Sequence, residues 1–331
     1  MTKNNLTVPR GIYHIKGRNN GPIFCLLAGI HGDELFGIKI IKKILKDFNL
    51  DQEKSGKTYN SNFINGELYI GFGNPAAIAK RTRSVTPNTD LNRSFQFSTL
   101  KNPTNKNDSS ATLRARELLP ILSSVDILID LHSTHTKSTP FICLGNTTQN
   151  HTSIYKNIDV PYILTDPDCI LSKDIGLPEL GTTDYVVNTQ GGGNWNKEKY
   201  SINTGIGFAY ESGYKKNMQR LKIIQNEIYQ IMYETMTLVN KPNLLYKKNN
   251  YANIKQTYKL TAIVRKELQG KFKFKHGLEV GWVNITKGDY IEEYTKTKNK
   301  IFATHTGKLL FQKKNSDMAT GSSLCYIATR I

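Results

Sequence analysis

The apolar positions of the chain fall into two textures. Over roughly the first two-thirds, short continuous apolar runs alternate with longer segments whose apolar residues recur every three or four positions. Ile23–Ala28 (IFCLLA) reads as a buried strand ending at Gly29, and Ile38, Ile41 and Leu45 mark the helix after it. Glu67–Phe72 repeats the strand signal and stops at Gly73-Asn74-Pro75, and the helical stretch Leu113–Leu122 leads into the strand Val125–Leu131. Phe141–Leu144 and Ile206–Tyr210 add two strands, and a helical pattern runs from about Asn217 to Val239. This alternation predicts an α/β fold: a mixed or mainly parallel sheet with helices on both faces, its functional groups gathered at the carboxyl ends of strands.

After Lys241-Pro242 the texture changes to strands separated by Gly and Asn, at Leu260–Val264, Trp282–Ile285, Ile301–Thr304, Lys308–Phe311 and Leu324–Ala328. Two domains are therefore expected, a catalytic one over 1–241 and a smaller β-rich one, a sandwich or barrel, over 242–331. The polar stretches Asp51–Asn65, Lys101–Ser110 and Gln190–Asn194 read as loops bordering a site.

Composition narrows the classes. The 331 residues, 38% hydrophobic and 22% charged, suit an ordinary globular enzyme, and no apolar run approaches the roughly 18 to 20 residues that span a bilayer. The N-terminal stretch lacks the apolar core of a secretory signal, so a cytoplasmic location is expected. Cys25, Cys143, Cys169 and Cys325 are scattered with no CxxC pair, which reads as reduced and mostly buried. The net charge of +18 is spread along the chain without an aromatic-interleaved basic cluster. It is assigned to compositional bias with mild steering of anions, with no nucleic-acid or membrane partner. A small-molecule substrate is expected, and a homo-oligomer is left open.

His31-Gly32-Asp33-Glu34 sets an imidazole and a carboxylate three residues apart on a strand-to-helix turn, and Asp130-Leu131-His132 offers another imidazole at the end of a second apolar strand. A catalytic zinc takes three protein ligands and leaves a position for water. His31, Glu34 and His132 are thus the candidate ligands of one zinc ion per chain, which would lower the pKa of bound water to about 7 and polarise a carbonyl. Taken singly, each has a structural alternative: a histidine and glutamate at a helix start, or a satisfied core histidine. Glu211, just past the apolar run Ile206–Tyr210, is the candidate general base. Arg83 is assigned to polarising the scissile carbonyl and contacting substrate, and Asn92 and Arg93 to substrate binding. His135 reads as solvated or supporting, and Gly191–Gly193 lacks the spacing of a phosphate cradle.

Five motifs occur in order: Gly29-Ile30-His31-Gly32-Asp33-Glu34, Gly73-Asn74-Pro75-Ala76, Asp90-Leu91-Asn92-Arg93-Ser94-Phe95, Asp130-Leu131-His132-Ser133 and Tyr210-Glu211-Ser212-Gly213. Together they resemble the succinylglutamate desuccinylase/aspartoacylase family of the zinc carboxypeptidase clan. The stretches Trp282–Asp289 and Gly307–Phe311 are similar to its C-terminal pattern. The resemblance implies a carboxypeptidase-like α/β domain with a β-rich C-terminal domain, and hydrolysis of an N-acyl amino acid to a carboxylate and a free amino acid. It also implies zinc at His31, Glu34 and His132, substrate contacts at Arg83, Asn92 and Arg93, and acid/base work at Glu211. The family's further arginine before the catalytic glutamate and its C-terminal tyrosine have no assigned counterpart, with Lys197, Lys199 or Lys137 the candidate replacements for the arginine. A peptidase acting on cell-wall fragments and a silent binding protein are the competing readings.

Overall fold

The structure, a computed structural model, describes residues 7–51, 53–87, 89–102, 104–145, 152–173, 181–188, 194–200, 202–235, 237–239, 255–313 and 318–331. Its strands are β1 (Ile12–Ala28), β2 (Lys57–Phe72), β3 (Ile127–Thr134), β4 (Phe141–Cys143), β5 (Tyr162–Thr165), β6 (Ile206–Tyr214), β7 (Gln256–Arg265), β8 (Phe272–Phe274), β9 (Val283–Ile285), β10 (Tyr290–Tyr294), β11 (Lys300–Phe302), β12 (Gly307–Leu310) and β13 (Ser323–Arg330). The helices are α1 (Leu35–Asp47), α2 (Pro75–Lys80), α3 (Phe97–Lys101), α4 (Ser110–Leu122), α5 (Thr152–Tyr155), α6 (Ile170–Lys173), α7 (Thr182–Asn188), α8 (Asn194–Tyr200) and α9 (Leu221–Glu234). Among the described residues no helix is long and apolar enough to cross a membrane.

Ten strands form one mixed sheet in the order β2-β1-β3-β6-β4-β5-β7-β13-β12-β9, and β11-β10-β8 form a second. The expected α/β architecture, a large mixed sheet flanked by helices with a β-rich C-terminal part, is what the chain adopts. At its centre β1, β3 and β6 run parallel. Alternation along a strand sorts their side chains between the two faces. Phe24, Leu26 and Ala28, with Ile127, Ile129 and Leu131, share a core with Ile40, Ile44 of α1 and Ile224, Ile228 of α9. Cys25, Leu27 and Leu128 face the other way, against Ala115, Leu118 and Leu122 of α4 and Tyr185, Val186 of α7. Each fully buried aliphatic side chain contributes about 1.5–3 kcal/mol, so two covered faces hold the central strands in place.

Several expectations are corrected. Asp51–Asn65 is not a loop beside the site: from Lys57 onward it belongs to β2, where Tyr13–Gly17 pairs with Lys57–Ser61. Its polar residues sit on a largely exposed stretch of strand, so the apolar alternation that signals a strand is absent there. The strands β3 and β6 run three and four residues further than predicted, so His132 and Glu211 lie within them. The short strands β5, β8 and β10 were not predicted. The β-rich C-terminal part is joined to the main sheet. The strands β7, β13, β12 and β9 extend the main sheet, with β7 parallel to β5, and the second sheet β8, β10, β11 packs on them through a shared core that includes Val264, Phe272, Ile291, Ile301, Leu309 and Cys325. An aromatic cluster spans that junction: Trp282 stacks on Tyr162 at 4.3 Å and meets Phe141 edge-on at 5.1 Å. The expected boundary at 241/242 and the Gly191–Gly193 run lie outside the described residues.

Candidate metal centre and active site

The turn after β1 brings the first two candidate ligands together. Gly29 has φ +67°, a left-handed conformation that favours glycine, and a Cβ on Gly32 would come within 2.1 Å of the Ala77 backbone. The chain can therefore pack against α2, deliver His31 to the sheet edge and place Glu34 at the N-cap of α1. Asn74, flagged at the next strand end, does structural work: its Oδ1 accepts the Ala77 N–H at 3.2 Å and caps α2 ahead of Pro75.

The third comes from β3. Because Ile127, Ile129 and Leu131 pack into the α1/α9 core, Asp130 and His132 project from the opposite face. His132 is directly in register with Glu211 on β6, so parallel neighbours present the imidazole and the carboxylate side by side. His31, Glu34 and His132 are all buried, with ligand atoms within 4.8 Å of one another. His31 Nδ1 lies 2.7 Å from Glu34 Oε1, and His132 Nδ1 lies 3.2 Å from Glu34 Oε2, which also accepts the Ser133 N–H at 2.8 Å.

Carboxylates also stand at the far side of both rings. His31 Nε2 is 3.1 Å from Asp90 Oδ1, and His132 Nε2 is 3.1 Å from Asp130 Oδ2, which accepts the Thr182 hydroxyl proton at 2.5 Å. A carboxylate only accepts, so without a cation His132 would need protons on both nitrogens to answer Glu34 and Asp130. This demand holds His132 well above the ordinary histidine range: burial works against its charge, and Asp130 and Glu34 outweigh it. Glu34 is held well below the usual carboxylate range: burial raises it, and His31 and His132 outweigh that. Held by His31, Glu34 and His132, a divalent ion would meet the same demand in place of the proton. The donor set thus fits zinc, with the supporting carboxylates that metal-binding histidines usually have.

Glu211 has one oxygen, Oε2, buried with no hydrogen-bond partner. Burial pushes its carboxyl up to about 7, His132 opposes the rise and Glu34 reinforces it. Arg83 reaches the same cluster from the loop after α2. Its Nη2 donates to Asp90 Oδ2 at 2.7 Å, and Nη1 lies 3.9 Å from Glu34 Oε1.

Asn92 and Arg93 form a 3-10 turn over Leu91–Arg93 beside the centre without touching its three ligands in the described contacts. The Asn92 N–H donates to Asp90 Oδ1 at 2.9 Å, its Oδ1 accepts the Thr182 N–H at 3.2 Å, and Arg93 Nη1 donates to the Asn92 carbonyl at 2.8 Å. Lys197 and Lys199 lie exposed on α8, where Lys199 covers the Trp195 ring. Sequence reasoning quoted Asp90 and Asp130 inside motifs but gave them no role. It missed the Asp33–Lys215 pair, 2.6 Å apart at the mouth of the centre beside His135. The i, i+2 spacing of Asp130 and His132 on one strand was the available signal for the first.

Residues 20–168 match the family model described as the succinylglutamate desuccinylase/aspartoacylase catalytic domain. A curated protein of Nostoc sp. (strain PCC 7120 / SAG 25.82 / UTEX 2576), named Probable aspartoacylase, is 33% identical over 126 residues. That alignment covers 37% of this chain and 38% of the relative, so the match spans well under half of either protein. Among solved structures, a succinylglutamate desuccinylase/aspartoacylase from Rhodobacter sphaeroides superposes with a TM-score of 0.63 at 16% identity, covering 96% of this chain and 88% of that one. The product-bound ectoine utilization protein EutE (DoeB) from Ruegeria pomeroyi follows at 0.58 and 16% identity, covering 96% and 87%. These structural likenesses extend the shared fold over nearly the whole chain.

Proposed function

We propose that this chain, whose residues 20–168 match the succinylglutamate desuccinylase/aspartoacylase catalytic-domain model, is a zinc-dependent deacylase of that family that hydrolyses N-acyl amino acids. The observation that carries the reading is the convergence of His31, Glu34 and His132, each ring backed by an aspartate, with Glu211 in register beside His132. His31, Glu34 and His132 would hold the ion. When bound, zinc supplies an acidified water and a Lewis acid for the scissile carbonyl.

Glu211 takes a proton at a carboxylate oxygen that no protein donor occupies and returns it to the leaving amine. Arg83 presents its guanidinium edge where negative charge develops on the tetrahedral intermediate, held there by Asp90. Asn92 and Arg93 line the approach and bind the substrate carboxylate, consistent with an acidic substrate.

The test is a panel of N-acetyl, N-succinyl and N-formyl amino acids assayed for free amine, with zinc content measured alongside. Release of amine, lost on chelation and lost together with zinc in His132→Ala, is the expected result. Turnover that survives complete metal removal would refute the reading.

A further inference from the structure

We propose that the ammonium of Lys215 stands in for a second cation beside the His31–Glu34–His132 centre and keeps closed a latent metal site formed by Asp33, Glu34 and His135. The inference rests on the metal-centre reading for its first ion and, apart from the shared Glu34, on Asp33, His135 and Lys215 for its second.

Asp33, Glu34 and His135 offer ligand atoms within 4.8 Å of one another, and Glu34 belongs to both groups. Lys215 Nζ sits in this second group, donating to Asp33 Oδ2 at 2.6 Å and to His135 Nδ1 at 3.1 Å. An ammonium has protons only to give, so His135 Nδ1 must present its lone pair to this place. The ring proton is then on Nε2, 3.5 Å from Asp33 Oδ2. The other oxygen of Asp33, Oδ1, is buried with no hydrogen-bond partner.

Without the ammonium, the cluster would keep two carboxylates and an imidazole lone pair, with Arg83, 3.9 Å from Glu34 Oε1, as the neighbouring cation. Such an oxygen and nitrogen set suits a divalent first-row ion. Two-metal hydrolases hold their ions about 3.5–4 Å apart, a spacing that a shared carboxylate such as Glu34 can bridge.

The placement is built by the fold. Lys215 directly follows β6, and its backbone N–H donates to the Thr134 carbonyl at 2.9 Å, fixing it beside the loop that carries His135. Asp33 arrives from the turn before α1. Lys215 and Asp33 are 21% and 17% exposed at the side chain, more enclosed than a solvated surface pair. The permanent positive charge of Lys215 therefore answers Asp33 at the mouth, and the centre takes a single ion.

The experiment dialyses wild type, Lys215→Met, Lys215→Arg and Lys215→Met/His135→Ala against Zn²⁺ and measures bound zinc by elemental analysis. Lys215→Met is expected to hold one equivalent more than wild type. Lys215→Arg, which keeps the cation, and the double variant, which loses a ligand, are expected to hold the wild-type amount. An unchanged content in folded Lys215→Met, or an extra ion that survives loss of His135, would overturn the proposal. If Lys215→Met fails to fold, Lys215→Gln keeps an N–H donor without the charge and carries the same expectation. Zinc-free wild type would instead refute the catalytic metal, and the increment in the variant would still decide this proposal.

Discussion

Glu211 on β6 and Glu292 on β10 both have buried carboxylate oxygens with no hydrogen-bond partner, and burial pushes both groups upward, to about 7 and about 8. Their neighbours differ. Glu211 stands among His132, Glu34, His31 and Arg83 at the carboxyl edge of the main sheet. Glu292 lies in the small sheet β8-β10-β11, beside a core of Ile291, Tyr294 and Cys325, and among the described residues the opposing charge on it is Lys266, whose Nζ donates to the Met318 carbonyl at 2.6 Å. An elevated carboxyl by itself therefore marks no site. It does so in company with ligand-type and cationic groups at a strand end, where a proton has somewhere to come from and somewhere to go.

The sharpest way to break this comparison is to neutralise each carboxylate in turn. Glu211→Gln is expected to lower turnover by about 10²–10⁴ while zinc content stays at the wild-type level, and Glu292→Gln to leave turnover unchanged. Equal losses in steady-state assays of both variants would show that burial alone, not company, sets the role.

A smaller effect separates ligands from the groups behind them. Asp130→Asn keeps the shape of the side chain but removes the charge facing His132 Nε2, and should weaken zinc binding about 10–100-fold in competition with a chelator. Wild-type affinity would mean that Asp130 serves only the packing of Thr182.

The smallest effect is read in stability. Glu292 releases its proton near its ordinary value of 4.5 when the chain is unfolded and near 8 when folded. Between those values the native state holds a proton that the unfolded state has lost, so the stability contributed by this group falls as pH rises. Glu292→Gln removes the dependence. Its melting temperature is expected to gain on wild type by a few degrees as pH is raised from about 5 to about 8. Parallel melting curves across that range would show that Glu292 is ionised in the fold.

Much of the site was legible locally because its chemistry sits where local signals are strong. The run Ile23–Ala28 ends at a glycine turn that carries His31 and Glu34 within four residues, and Val125–Leu131 ends beside His132. Hydrophobic runs and turn residues identify such strand ends without knowledge of the partner strands. The polar half of β2 gave no such signal for want of apolar alternation, and β5, β8 and β10 because they are too short, even where Phe272-Lys273-Phe274 alternates.

By itself the sequence determined the alternating α/β plan, the placement of His31 and Glu34 on the turn after a strand, and the change of texture toward the C-terminus. Only the tertiary structure decided that β7 adds to β5, so that the C-terminal strands prolong the main sheet. It alone put His132 in register with Glu211, set Asp90 behind His31 from 59 residues away, and brought Lys215 to Asp33 across 182 residues. The reason is physical. A strand's burial pattern follows from its own side chains, whereas its neighbours depend on strand order and register, which the whole chain settles together when both faces of the sheet are covered.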